Sequence, residues 1–116
     1  MKVLRIVANI EAPDPTEAQA FYQDLLGLEL LMDHGWIKTF GSDQKMTVQV
    51  SVASQGGSGT LVPDLSIEVD DLFSALSKAR QADIAIEYGP VEEPWGVRRF
   101  YVRDPFGRLI NVLQHL

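Results

Sequence analysis

One order of elements occurs twice along these 116 residues, and it restricts the fold more than any other feature. Val3 to Ile10 is an apolar run with β-branched residues and reads as a strand. Pro13-Asp14-Pro15 breaks it. Asp14 suits a helix N-cap, Pro15 the first helical position, and Glu17 the acid of a capping box. Ala18, Phe21, Tyr22, Leu25 and Leu26 recur at helical spacing, and Gly27 is the expected stop. Strands follow at Leu28 to Met32, Trp36 to Phe40 and Met46 to Val52, separated by turns at Gly35 and at Gly41-Ser42-Asp43.

The order then restarts. Ser54-Gln55-Gly56-Gly57-Ser58-Gly59 reads as a short flexible linker near the middle of the chain. Beyond it come a strand from Leu65 to Val69, a helix capped by Asp70 or Asp71 and running through Ala82, and a strand from Ile84 to Tyr88. Gly89-Pro90 and Pro94 mark an irregular connection. Strands at Val97 to Val102 and Leu109 to Leu113 flank the turn Asp104-Pro105-Phe106-Gly107. Ile10-Glu11 is echoed by Ile67-Glu68, and Gly35 to Phe40 by Gly96 to Tyr101. Neither unit covers its own sheet face, so the two are expected to share a core. The expectation is one α+β domain over residues 1–116, built from paired βαβββ modules at about 1–53 and 60–116.

Composition narrows the partners. Sixteen acids against ten bases give a formal net charge of −6. Without a basic cluster, such a chain has little with which to displace counterions from nucleic acid. The absence of cysteine excludes disulfides, thiolate metal sites and a cysteine nucleophile. No apolar run approaches the roughly 20 residues of a membrane span. Charge within Met1-Lys2-Val3-Leu4-Arg5 does not suit a signal peptide. A cytoplasmic protein without nucleic-acid or membrane partners is the expectation.

Three stretches resemble the glyoxalase/bleomycin-resistance/dioxygenase, or vicinal-oxygen-chelate, superfamily. Ala20 to Leu28 is similar to its first helix and glycine stop. Ile67-Glu68-Val69-Asp70-Asp71-Leu72 is similar to its fifth strand entering the second helix. Pro94-Trp95-Gly96 followed by Asp104-Pro105-Phe106-Gly107 is similar to a pair of turns found in many bacterial members. The resemblance implies a curved mixed β-sheet cup with helices outside. It also implies a divalent ion held by His, Glu or Gln on the first, fourth, fifth and eighth strands. Carried onto this chain, those positions read Val7, Gln49, Asp64 and Asn111. One carboxylate, two amides and a valine suit a transition metal poorly, so no cofactor is expected. Any ion present would sit near Gln49, Asp64 and Asn111. His34 and His115 read as a loop residue and a terminal surface residue, and they do not have ligand spacing.

The same positions, with several others, are candidates for holding a small molecule. Trp36 and Trp95 read either as packing residues or as platforms for a planar ligand. Glu92 and Glu93 beside Trp95 would add attraction for a cation, or would simply be a solvated loop. Arg98, Arg99 and Arg103 form the one basic stretch. Alternation along a strand puts Arg99 and Arg103 on one face with Tyr101, with Arg98 on the other. Arg99 would then either solubilise the outer face or reach inward to an anionic group. The ligand-binding set is therefore Val7, Trp36, Gln49, Asp64, Trp95, Arg99, Tyr101 and Asn111, with no catalytic residue assigned. Two functions follow from the resemblance. The first is a metal-independent homodimer that sequesters a small molecule, as bleomycin-resistance proteins do. The alternative is a metal-dependent lyase, isomerase or dioxygenase.

Overall fold

A computed structural model describes residues 1–25, 27–42, 49–105 and 107–116. It carries eight strands: β1 (Val3–Glu11), β2 (Glu29–Asp33), β3 (Ile37–Gly41), β4 (Gln49–Ala53), β5 (Leu65–Val69), β6 (Tyr88–Glu93), β7 (Val97–Arg103) and β8 (Leu109–His115). One α-helix, α1 (Leu72–Gln81), follows β5. Between β1 and β2 lie a 3₁₀ turn, Pro15–Glu17, and a π-helical segment, Gln19–Leu25.

Both halves of the chain use one topology. In the first, β1 pairs parallel with β4, β4 antiparallel with β3, and β3 antiparallel with β2. In the second, β5 pairs parallel with β8, β8 antiparallel with β7, and β7 antiparallel with β6. The fold is α+β, built on two βαβββ modules, as the repeat requires. The chain divides into two compact units, Val7–Val62 and Met1–Ile6 with Pro63–Leu116. The division falls inside β1 rather than at the Gly/Ser segment, so the first six residues group with the second module. Lys2 accounts for this: its N–H donates to Asp70 Oδ1 at 2.6 Å and its carbonyl accepts from the Asp70 N–H at 3.1 Å.

The second unit has a well-defined core. Val69, Leu72, Leu76 and Phe100 are buried together, with Ile67, Ala75, Val102 and Val112 packed around them. These residues lie at helical spacing on α1 and at alternate positions on β5, β7 and β8, so α1 covers one face of this sheet. Asp71 caps the helix by accepting from the Ser74 N–H at 3.1 Å. In the first unit Phe40 is fully buried and stacks on Tyr22, with centroids 5.8 Å apart and planes inclined at 27°.

Several elements differ from the sequence expectation. The first helix begins as expected, with Asp14 capping Thr16, but continues with π rather than α winding. The strand expected at Ile84 to Tyr88 begins only at Tyr88 and runs through Gly89-Pro90 to Glu93. Gly89-Pro90 has a cis peptide and sits where the β6–β7 register shifts, between Tyr88 and Val91, so Pro90 lies at a bulge within a strand, while Pro94 lies in the turn that joins β6 to β7. The central Gly/Ser segment is a hydrogen-bonded turn: Gly56 donates to Thr60, Thr60 to Gly57, and Gly59 to the Gln55 side chain. Asp43, Leu26, Phe106 and residues 46–48 lie outside the described residues. No helix is long and apolar enough to cross a membrane among those described.

Candidate functional site

Because Phe100 and Val102 face α1, their neighbours Arg99 and Tyr101 face the opposite, helix-free side of the second unit. There the structure assembles a buried polar cluster. Arg99 is 3% exposed. Its Nη1 donates to Tyr101 Oη at 3.0 Å, and its Nε lies 3.6 Å from Glu93 Oε1. Tyr88 donates its hydroxyl to that same carboxylate oxygen. The guanidinium carbon lies 5.0 Å from the ring centroids of both Trp95 and Tyr101 and 5.4 Å from that of Tyr88. One cation is thus boxed by three aromatic rings and balanced by one carboxylate. This is the arrangement that makes a buried guanidinium tolerable.

The local sequence explains how the box closes. Val97 and Glu93 pair across the β6–β7 turn, and Gly96 takes a φ of +87°, which lets Trp95 sit over the strand end. Gly89 allows the β6 bulge to approach β7. A Cβ there would lie 2.5 Å from the Arg99 carbonyl oxygen. The other two arginines serve elsewhere. Arg98 pairs with Glu92 and lies over the Phe73 ring on the helix side, 4.9 Å from its centroid. Arg103 binds Glu87 at 2.7 Å and the Gly107 carbonyl at 2.9 Å.

Next to the box, Asn111 pairs across the sheet with Tyr101 on one side and Ser66 on the other. Its Nδ2 donates to Ser66 Oγ at 3.1 Å. Its Oδ1 is buried without a hydrogen-bond partner among the described residues, and the residue is only 7% exposed. A buried carbonyl left unpaired costs about 1–3 kcal/mol, which makes it a marker for a site as much as for a scaffold. The first unit shows a parallel pattern. Asn9, Ser51 and Thr39 are aligned across β1, β4 and β3, and the Thr39 and Ser51 hydroxyls are 2.7 Å apart and buried.

The proposed site residues therefore separate. Trp95, Arg99, Tyr101 and Asn111 lie together on the helix-free side of the second unit. Asp64 does not join them. It is exposed, its Oδ2 accepts from the Leu109 N–H at 2.8 Å, and its own N–H donates to the Leu109 carbonyl. Val7, Trp36 and Gln49 belong to the first unit. Val7 is 5% exposed on β1, Gln49 pairs with Gly41, and Trp36 precedes β3 and stacks on His34 at 6.2 Å. Glu93 and Tyr88 complete the box around Arg99. Glu93 was visible as an acid beside Trp95. Tyr88 was hidden because the strand containing it was expected to end there.

Register also tests the family's metal. Phe40 and Phe100 are equivalent buried strand residues, and their partners are Val50 and Val112, which pair in turn with Ala8 and Ile67. One step back along the outer strands, the equivalent residues are Val7 and Ser66; the inner equivalents are Gln49 and Asn111. The residue matching Val7 is thus Ser66, two positions beyond Asp64. A set of valine, serine and two amides contains no ionisable donor, and the expected set with Asp64 contains one, whose register equivalent is the cation Arg5. The unpaired Asn111 Oδ1 is a single neutral ligand atom. These residues do not fit a divalent metal. Among the described residues no group of three or more His, Asp or Glu could hold one.

Sequence comparison agrees with this architecture. The model of the Glyoxalase/Bleomycin resistance protein/Dioxygenase superfamily matches residues 5–112, and the chain belongs to that superfamily. Among solved structures, a Legionella pneumophila protein named as an NAD-dependent benzaldehyde dehydrogenase aligns with a TM-score of 0.76 at 16% identity, over 97% of this chain and 100% of its own. A superfamily member from Vibrio splendidus 12B01 aligns at 0.67 and 21% identity, over 99% and 100%. Methylmalonyl-CoA epimerase from Mycobacterium tuberculosis aligns at 0.64 and 16%, over 98% and 87%. At these identities the likeness is one of fold. No curated protein sequence matches the chain.

Proposed function

We propose that this protein binds a small molecule without a metal and acts by sequestering it. The ligand would lie against the helix-free side of the second module, where Tyr101 and Asn111 are adjacent. The single observation carrying this reading is Asn111: a buried side-chain carbonyl with no partner among the described residues, beside the strand whose Arg99 is in a buried pair with Glu93. A sheet serving only as scaffold would place apolar residues there at lower cost. Asn111 Oδ1 would accept a hydrogen bond from an N–H or O–H of the ligand. The Arg99 box would hold the surrounding aromatic surface rigid, so that little ordering remains to be done on binding.

The superfamily also contains enzymes. The epimerase from Mycobacterium tuberculosis shares this fold, which keeps a catalytic alternative in view. The donor set argues against a metal-assisted route in this chain.

A thermal-shift screen of antibiotics and metabolites, run in the presence of a chelator, tests the proposal. A ligand at one hundred times its dissociation constant stabilises the native state by about 2.7 kcal/mol. The expected result is at least one compound that raises the melting temperature of the wild type with chelator present and raises that of Asn111→Leu much less. Hits that vanish on adding chelator would contradict it.

A further inference from the structure

At the far end of β8, on the same helix-free side, Glu68 holds two side chains at once. Its Oε1 accepts from Arg5 Nε, and its Oε2 lies 3.0 Å from His115 Nδ1. The Glu68 side chain is 15% exposed and the imidazole 48%. Partial burial alone would push the Glu68 carboxyl upward. The hydrogen bonds from Arg5 and His115, with their charges, outweigh it and hold the carboxyl below its ordinary value, so it is ionised at neutral pH. Arg5 fixes the carboxylate and the carboxylate fixes the ring. With Nδ1 engaged as donor, the neutral imidazole carries its lone pair on Nε2, and that atom has no partner among the described residues.

We propose that His115 and Glu68 form a hydrolytic dyad acting on small, uncharged, activated esters. His115 is the catalytic base and Glu68 the positioning residue. Nε2 takes a proton from water as the water oxygen adds to the acyl carbon. The ester C–O bond then breaks, and the proton passes from the imidazolium to the departing alcohol oxygen. The products are a carboxylic acid and an alcohol, and the imidazole returns neutral. Glu68 stabilises the imidazolium formed in between. An uncharged substrate suits a chain of net charge −6 and a face where the neighbours of His115 are Val97 across the strand and Leu113 two residues back, both buried. The charged groups around the ring are Glu68 from β5, in contact with it, and Arg5 from β1, on the other oxygen of the same carboxylate.

Hydrolysis of p-nitrophenyl acetate by the full chain is the test, read as a pH–rate profile. The wild type should exceed an equal concentration of N-acetylhistidine by at least about tenfold, the low side of what a positioned base supplies. His115→Gln should lose that excess, and His34→Gln should keep it. Glu68→Gln should lower the rate, because the ring loses the acceptor that orients it, and Glu68→Asp should recover part of the loss. His115→Gln changes an exposed residue, so folding does not obscure the result. A wild-type rate equal to that of N-acetylhistidine would overturn the proposal, as would full activity in His115→Gln or in Glu68→Gln, or no recovery in Glu68→Asp.

Discussion

Arg99 is the residue on which the second module's interior turns. A guanidinium 3% exposed must be matched by charge and hydrogen bonds, and Glu93, 2% exposed at its side chain, supplies the charge. The attraction between them does not make the pair a net stabiliser, since taking both ions out of water offsets most of it. Breaking the pair is another matter. Glu93→Ala leaves Arg99 buried and uncompensated and removes the acceptor for the Tyr88 hydroxyl. The expected loss is about 3–5 kcal/mol, measured by urea unfolding at neutral pH. Replacing both residues, with Arg99→Met and Glu93→Leu, should cost much less than Glu93→Ala alone. Equal losses in the two variants would mean that the pair does not act as a unit. The sequence disclosed part of this cluster. Alternation along Val97 to Val102 separated Arg99 and Tyr101 from Arg98. It gave no means of seeing that Glu93 folds inward while Glu92 stays exposed, because that depends on a bulge two residues away.

At the level of elements, local chemistry was a good guide wherever caps and alternation agreed. α1 starts beside Asp71 and ends at Gln81, one residue short of the expected Ala82. Asp71→Ala removes the acceptor for the Ser74 N–H and should cost about 1 kcal/mol in thermal or chemical unfolding. Asp70→Ala should leave that cap intact while loosening Lys2, so equal helix loss in both variants would contradict the assignment of Asp71 as the cap. The failures have equally local causes. Gly89-Pro90 reads as a chain break because proline lacks the donor a central strand needs. β6 lies at the end of its sheet row and takes the proline in a bulge, and Gly89 at a φ of +78° allows the close approach to Arg99. Val7 and Asp64 are not register equivalents, for another reason. Ile10-Glu11 and Ile67-Glu68 look alike as letters, but hydrogen-bond register, not letters, sets which residues are equivalent. Register makes Ser66 the equivalent of Val7 and Arg5 the equivalent of Asp64, whose carboxylate is tied to the Leu109 backbone.

For the molecule as a whole, the doubled βαβββ order was legible from the turn residues and strand patterns. What the alternation along β1 means for association was not. Val7 is buried, whereas Leu4 and Ile6 are 57% and 59% exposed on alternate positions of the same strand, and Phe73 of α1 is 57% exposed. Apolar side chains left in water along a strand favour association, and a second copy of this chain is the partner we propose. Sedimentation velocity at micromolar concentration should show a dimer that Leu4→Glu/Ile6→Lys converts to monomer. A wild-type monomer throughout that range would contradict it.

We propose that this superfamily member works without a metal. The Val7–Val62 unit offers a divalent ion one neutral amide oxygen at Gln49 and only methyl groups at Val7, and the other unit one neutral amide oxygen at Asn111 and a hydroxyl at Ser66. The cost of desolvating a first-row ion is not offset by such donors. Elemental analysis of protein purified without chelator and without a metal-affinity tag tests this most directly. The account predicts no stoichiometric zinc, nickel, manganese or iron, and one equivalent of any of them retained per chain would contradict it.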